Sequence, residues 1–185
     1  MRRTIVITLL LVVLGAAGWW AYTRFFAPDP EVLLRSQATS NAHEKILSGE
    51  LAGALADIEQ ALEMLPGDWE LLAWQSVLLE KLNRSGDESL EQAMAAGSET
   101  DVWIGRGMVA LLVGEPQMAL DASARLIERS PDSPQGYFLA AQSHEMMEQT
   151  NEALRLYQQA ADIAASDPSH YAIYVAAKER MAALT

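Results

Sequence analysis

A histidine and a carboxylate one helical turn apart can share a metal ion, and His144 with Glu148 has that spacing. The other histidines, His43 and His170, are far off in sequence, and no third ligand accompanies the pair. Two ligands alone fall short of a zinc signature, so a solvated pair on one helix face is the expectation. The chain has no cysteine, which removes a thiol nucleophile, a disulfide framework and a lipid-modified N-terminal cysteine. No glycine-rich phosphate loop follows a strand pattern, and no Ser/His/Asp constellation can be assembled. Met146-Met147 and the aromatic residues read as packing. The sequence thus points away from an enzyme: no catalytic residue, metal, cofactor or small-molecule substrate is expected.

What these side chains would be mounted on is helical. Alanine, leucine, glutamate and glutamine dominate, apolar residues fall at helical spacing, and strand signals are nearly absent. Residues 35–68 and 100–133 repeat each other at an offset of 65, pairing Ala42 with Gly107, Gly49 with Gly114, Ala54 with Ala119 and Pro66 with Pro131. Residues 134–165 echo the second of these at 34, while residues 69–99 form a unit three residues short. A glycine between apolar runs and a proline at the end of each unit are the marks of stacked helical hairpins.

Within the third unit Val102, Trp103, Met108, Ala110, Leu111 and Leu112 build a first helix, and Met118, Ala119, Ala122, Leu126 and Ile127 a second. Gly114 sits where a left-handed residue is needed, Pro116 suits the first turn of the next helix, and Pro66 and Pro131 end the second helices. Gly107 and Ala119 are expected to meet where the paired helices cross, as are Ala42 with Ala54 and Ala141 with Ala153. In the short unit Ser85-Gly86-Asp87-Glu88 reads as a capping box for a helix stopping at Gly97. A final helix with Tyr171, Tyr174, Val175, Met181 and Leu184 caps the stack. The first helix can begin at Asp29-Pro30, which leaves about three residues, or ~10 Å, between it and the segment before it.

That segment is Thr4–Thr23, twenty residues without a charged side chain, preceded by Arg2 and Arg3, with Trp19, Trp20, Tyr22, Phe25 and Phe26 gathered at its far end. Such a length spans a hydrocarbon core of roughly 30 Å. Positive charge resists translocation, so the amino end stays in the cytoplasm and the repeats lie outside. The alternative is a cleaved signal peptide with a small-residue site near Gly15-Ala16-Ala17-Gly18, but the apolar run continues through Trp19-Trp20. The organisation is therefore a tip and anchor at 1–26, a linker and helix start at 27–34, and an all-α repeat domain at 35–185. From residue 25 onward ten basic residues face 25 acidic ones, a formal balance of −15. A surface so acidic repels phosphate backbones, and nucleic-acid binding is not expected.

These residues resemble the tetratricopeptide repeat family. Its 34-residue unit wants Trp at position 4, Gly or Ala at 8, Ala at 20, an aromatic at 24, Ala at 27 and Pro near 32. Trp103, Gly107, Ala119 and Pro131 match in the third unit; Tyr137, Ala141, Ala153, Tyr157 and Ala160 in the fourth; Ala42, Ala54, Ala61 and Pro66 in the first. Ser123 and Leu126 depart from the pattern in the third unit. The resemblance implies a tetratricopeptide-type solenoid of about four hairpins plus a capping helix. It also implies a concave wall lined by the first helix of each hairpin at positions 2, 5, 9 and 12.

Those positions hold Ser36, Thr39, His43 and Ile46; Glu70, Ala73, Val77 and Glu80; Asp101, Ile104, Met108 and Leu111; and Gln135, Phe138, Gln142 and Glu145. None is Lys or Arg, which argues against the carboxylate capture practised by chaperone-binding members. The wall implied is an apolar strip of Val77, Ile104, Met108 and Phe138, with Gln142, edged by Glu70, Glu80, Asp101 and Glu145. It suits a protein or peptide with apolar anchors and basic flanks. With the apolar segment read as an anchor, the expectation is a membrane-anchored interaction scaffold of the bacterial inner membrane, with periplasmic or extracellular repeats that recruit or organise envelope proteins. The layout is similar to periplasmic repeat modules of cytochrome c biogenesis and to repeat subunits that accompany the secretion translocon. No haem-attachment motif supports the first. An accessory subunit bracing a large membrane complex is the other class that fits.

Overall fold

A computed structural model describes residues 29–185, in two compact units, Met1–Ser36 and Gln37–Thr185. Of the first unit only its last eight residues are described; they open a helix at Pro30, where the Asp29 carboxylate accepts from the Glu31 N–H at 2.9 Å. The segment Thr4–Thr23 lies outside the described residues. Among the described residues no helix is long and apolar enough to cross a membrane.

The described residues hold nine α-helices and no strand. They run α1 (Pro30–Leu47), α2 (Leu51–Met64), α3 (Trp69–Lys81), α4 (Asp87–Ala96), α5 (Glu99–Leu112), α6 (Pro116–Arg129), α7 (Pro134–Met146), α8 (Thr150–Ala164) and α9 (Tyr171–Leu184), with one 3-10 turn at Pro168–His170. Odd and even helices alternate as hairpins, and α9 packs chiefly on α8 and also on α7. The short α4 covers little of α5, which leaves α3 and α5 in direct contact.

Four turns of one design close the hairpins, each joining the first helix of a pair to its second. Gly49, Asn83, Gly114 and Glu148 all take left-handed backbone, with φ of 83°, 57°, 73° and 60°. At each, that residue donates back to the carbonyl three residues earlier, and the next residue donates to the carbonyl five back; Gly114 N to Leu111 O is 3.1 Å and Glu115 N to Ala110 O 2.8 Å. This closing pair satisfies carbonyls that the end of an α-helix leaves orphaned. Their spacings of 34, 31 and 34 residues are the repeat itself, with the short second unit visible in the middle interval. The prolines act as expected: Leu65 and Ser130, each preceding one, have ψ of 63° and 75° and end α2 and α6.

Small residues fill the interior. Ala42, Ala54, Ala119, Ala141, Ala153 and Ala160 are fully buried. Gly107 has a different neighbour from the one its spacing suggests. A Cβ there would come within 2.3 Å of Leu139 Cδ2, so its empty place seats a side chain of α7, in the next hairpin, with no atom of Ala119 as close. The capping box expected at Ser85 does not form: the helix starts one residue later, with no side-chain cap. The N-cap of α4 is Gly86, because a Cβ at Gly86 would lie 2.3 Å from the Ser76 carbonyl oxygen, and only glycine permits the chain to pass there.

Candidate interaction groove

Across the first helices of three hairpins runs a depression of ≈ 440 Å³, lined by His43 of α1, Trp69, Glu70 and Trp74 of α3, and Asp101, Ile104, Gly105, Met108, Val109 and Leu112 of α5. Four residues named from the sequence, Glu70, Asp101, Ile104 and Met108, come together in it. Met108 is 62 % exposed, an unusual state for an apolar side chain beside tryptophans. Glu70 stands in the first turn of α3, whose N-cap Asp68 accepts from the Glu70 and Leu71 N–H groups at 3.1 Å. Asp101 completes a reciprocal cap with Ser98: its N–H donates to the hydroxyl at 3.1 Å, and its carboxylate accepts from that hydroxyl at 2.6 Å. Both carboxylates therefore sit at helix N-termini, where backbone N–H groups favour negative charge.

The remaining residues named for the wall are elsewhere. Val77 is fully buried and belongs to the core, since the stretch Leu71–Leu79 is almost wholly enclosed between neighbouring helices. Phe138 packs in the C-terminal core, edge-on to Tyr157 with centroids 5.5 Å apart. Glu80 receives both its oxygens' bonds from Arg106 Nη2 at 2.7 and 2.8 Å, and Arg106 Nη1 donates to the buried Ser76 hydroxyl at 2.8 Å. Arg106 itself is only 7 % exposed while Glu80 is half-buried, so this is a part-buried ionic bridge from α3 to α5. Glu145 accepts from the Tyr157 hydroxyl at 2.7 Å and from Arg180 on α9, Nε at 3.2 Å. It fastens the capping helix. Burial raises the Tyr157 phenol to about 12. Gln142 is half-buried and does not line the depression.

Glu80 and Arg106 face a second depression of ≈ 530 Å³, which also takes in Trp103, Met118, Asp121, Ala124, Arg125 and Glu128. Its walls carry both signs of charge. Trp103 holds a buried indole N–H with no hydrogen-bond partner.

The pair His144 and Glu148 does not form a metal site. Helix α7 ends at Met146, so Glu148 leaves the helical face in left-handed backbone, and His144 Nδ1 meets the Gln149 amide oxygen. Among the described residues no three His, Cys, Asp or Glu side chains gather as a metal would require.

Sequence reasoning missed Trp69, Trp74 and Gly105 as groove residues. Trp69 is wedged: a Cβ at Gly97 would fall 2.6 Å from its Cγ, and one at Gly105 3.5 Å from its Cζ3. The signal that could have found it was two tryptophans five apart on one helix facing a helix with a glycine at its centre.

No protein-family model matches the chain, and no curated protein matches it by sequence. Among solved structures it is similar to PcrH in complex with the chaperone binding region of PopD, at 16% identity over 86% of this chain and 96% of that one, TM-score 0.44. It is also similar to MamA, at 19% identity over 79% of this chain and 81% of that one, TM-score 0.41. A further MamA structure, from Desulfovibrio magneticus RS-1, shares 14% identity over 85% of this chain and 95% of that one, TM-score 0.42.

Proposed function

We propose that this chain is a protein-interaction scaffold whose repeats dock a partner segment in the groove of α1, α3 and α5, tethered by Thr4–Thr23 to a bacterial inner membrane with the repeats outside. The observation that carries the reading is the groove itself: a depression floored by Trp69, Trp74, Ile104 and Leu112, rimmed by the exposed Met108, and drawn from three successive hairpins. A monomeric fold gains nothing from leaving such apolar surface in water, whereas a docked side chain would cover it. The rim residues Glu70 and Asp101 favour basic flanks on the partner. Tethering would raise the effective concentration of whatever is held.

The test is site-specific photo-crosslinking in cells producing the full chain, with the crosslinker at Ile104 or, as control, at Ala124 in the second depression. A discrete adduct from position 104 that is absent at 124 and weakened by salt is the expected result. Equal adducts from both positions would refute the groove. A stoichiometric, salt-resistant complex formed through α9 or α2 instead would favour the accessory-subunit reading. Proximity labelling from the C-terminus reports the compartment, and labelling confined to cytoplasmic proteins overturns the topology.

A further inference from the structure

The chain has no cysteine, so its thioethers are the groups that a mild peroxide oxidises first. Among the described methionines Met94, Met118, Met147 and Met181 are half-buried, whereas Met64, Met108 and Met146 stand in solvent, at 57 %, 62 % and 46 %. Met64 and Met146 are the last residues of α2 and α7, and neither lines the groove. Met108 differs. It lies inside α5 and lines the groove with Trp69, Trp74, Ile104 and Leu112. The corresponding positions of α1, α3 and α7 hold His43, the fully buried Val77 and the half-buried Gln142, so an exposed thioether at this place belongs to the third hairpin alone.

We infer that Met108 is an oxidative modification site, and that a peroxide-class oxidant releases the docked segment by converting its thioether to the sulfoxide; the inference rests on the groove's being the docking surface. A sulfur lone pair attacks one peroxide oxygen, the O–O bond breaks, and the other oxygen leaves as hydroxide. The hydroxyl now on sulfur gives its proton to solvent, and the hydroxide takes one up to become water, so sulfur loses the two electrons that the peroxide gains. The product replaces a flexible apolar end with a polar, chiral one. Because the Met108 side chain already stands in water, the free fold loses little by the change. Docking loses more, since an apolar anchor seated on the sulfoxide has to take its oxygen out of water. The coupling runs both ways: a segment in the groove covers the sulfur and slows its oxidation.

The experiment uses the full chain and a fluorescein-labelled peptide of leucines and serines flanked by lysines. Binding is followed by fluorescence anisotropy, and the oxidation of each methionine by peptide mass mapping after timed exposure to hydrogen peroxide. Met108 should oxidise ahead of the half-buried Met118 and Met181, and saturating peptide should slow it while Met64 keeps its own rate. After a brief exposure the chain should bind the peptide about tenfold more weakly with its thermal midpoint unchanged, and methionine sulfoxide reductases for both epimers, with a thiol reductant, should restore binding. Met108→Leu should bind like the parent and keep its affinity through the same exposure. Met108→Gln should bind as weakly as the oxidised parent with no oxidant added; Gln142 at the corresponding position of α7 shows that the fold accepts it. Oxidation of Met108 no faster than that of Met118, or an equal loss of affinity in oxidised Met108→Leu, would overturn the oxidation site and leave the groove standing. So would an oxidised parent that binds unchanged while the peptide still protects Met108. A peptide that binds without protecting Met108, or that fails to bind at millimolar concentration, would overturn groove and oxidation site together.

Discussion

Removing Glu80 tests the part-buried bridge between α3 and α5. Arg106 is 7 % exposed and spends Nη2 on both Glu80 oxygens and Nη1 on Ser76. Glu80→Ala strands the guanidinium, with only a neutral hydroxyl as its bonded partner. Breaking a fully buried pair from one side costs about 3–5 kcal/mol. Glu80 keeps 28% of its side chain exposed, and the second depression lets water reach the vacated place, so the cost falls below that range, at about 2–3 kcal/mol. With a urea slope of about 2 kcal/mol per M, the unfolding midpoint should fall by about 1 M or slightly more. Arg106→Met removes the charge with its need for a partner and keeps most of the packing, so it should cost less, within about 1.5 kcal/mol. Adding Arg106→Met to Glu80→Ala should then recover much of the loss. Urea titration of the three variants, followed by far-UV circular dichroism, decides it. If Glu80→Ala costs less than Arg106→Met, the guanidinium is not committed to that carboxylate, and Glu80 would return to the list of available wall residues.

Other perturbations follow from the same geometry. Glu148→Gly should stabilise the chain by about 1 kcal/mol, since it relieves left-handed strain and removes a carboxylate from a helix C-terminus, whereas Gly114→Ala at φ 73° should cost about 1–2 kcal/mol; thermal melts giving the opposite order would refute the turn assignment. Gly107→Ala should lower the melting temperature despite its better helix propensity, because the new methyl strikes Leu139, and Ala119→Leu should cost about 1–3 kcal/mol or more at a fully buried site; parent-like melts would undo the packing account. The Tyr157 phenol is raised from 10.0 to about 12 by burial, so the unfolded chain ionises first, and the stability present below pH 10 is lost as pH rises towards 12. Tyr157→Phe should show a shallower loss over that interval in urea midpoints, and an unchanged slope would contradict the assignment.

The fold was legible because its determinants are local. Gly114 and Gly49 turn the chain, Pro66 and Pro131 stop it, and alanines at fixed intervals vanish into helix contacts; each needs only its own neighbours in sequence. Glu148 was misread for the complementary reason. His144 and Glu148 match a helical spacing, but the helix has ended by then, and the clue lay in the interval of 34 from Gly114 to Glu148, which marks the same turn with an unexpected residue type. The groove was half legible. Which helices face inward follows from the repeat, yet whether a side chain on that face is covered depends on its tilt against the next hairpin. Val77 fell on the covered side and Met108 on the open one, while Ile104 and Phe138 are both half-buried, the first lining the groove and the second packed on Tyr157.

The four carboxylates of the wall divide by a rule that sequence could have supplied. Glu80 and Glu145 occupy the last turns of α3 and α7, where the partial negative charge of the helix end opposes a carboxylate. Each is taken up by an arginine from an odd-numbered helix further along the chain, Arg106 of α5 and Arg180 of α9. Glu70 and Asp101 occupy the first turns of α3 and α5, where the same dipole has the favourable sign. Their charge is favoured by their own helices. Position along the helix therefore separates acids that their own helix disfavours, and that an arginine of another hairpin holds, from acids that their own helix favours. On that reasoning, charge reversal at Glu70 should weaken docking and also cost about 1 kcal/mol in urea midpoints, because it places a positive charge at a helix N-terminus. Reversal at Glu145 should loosen α9 first and touch docking only through the loss of fold.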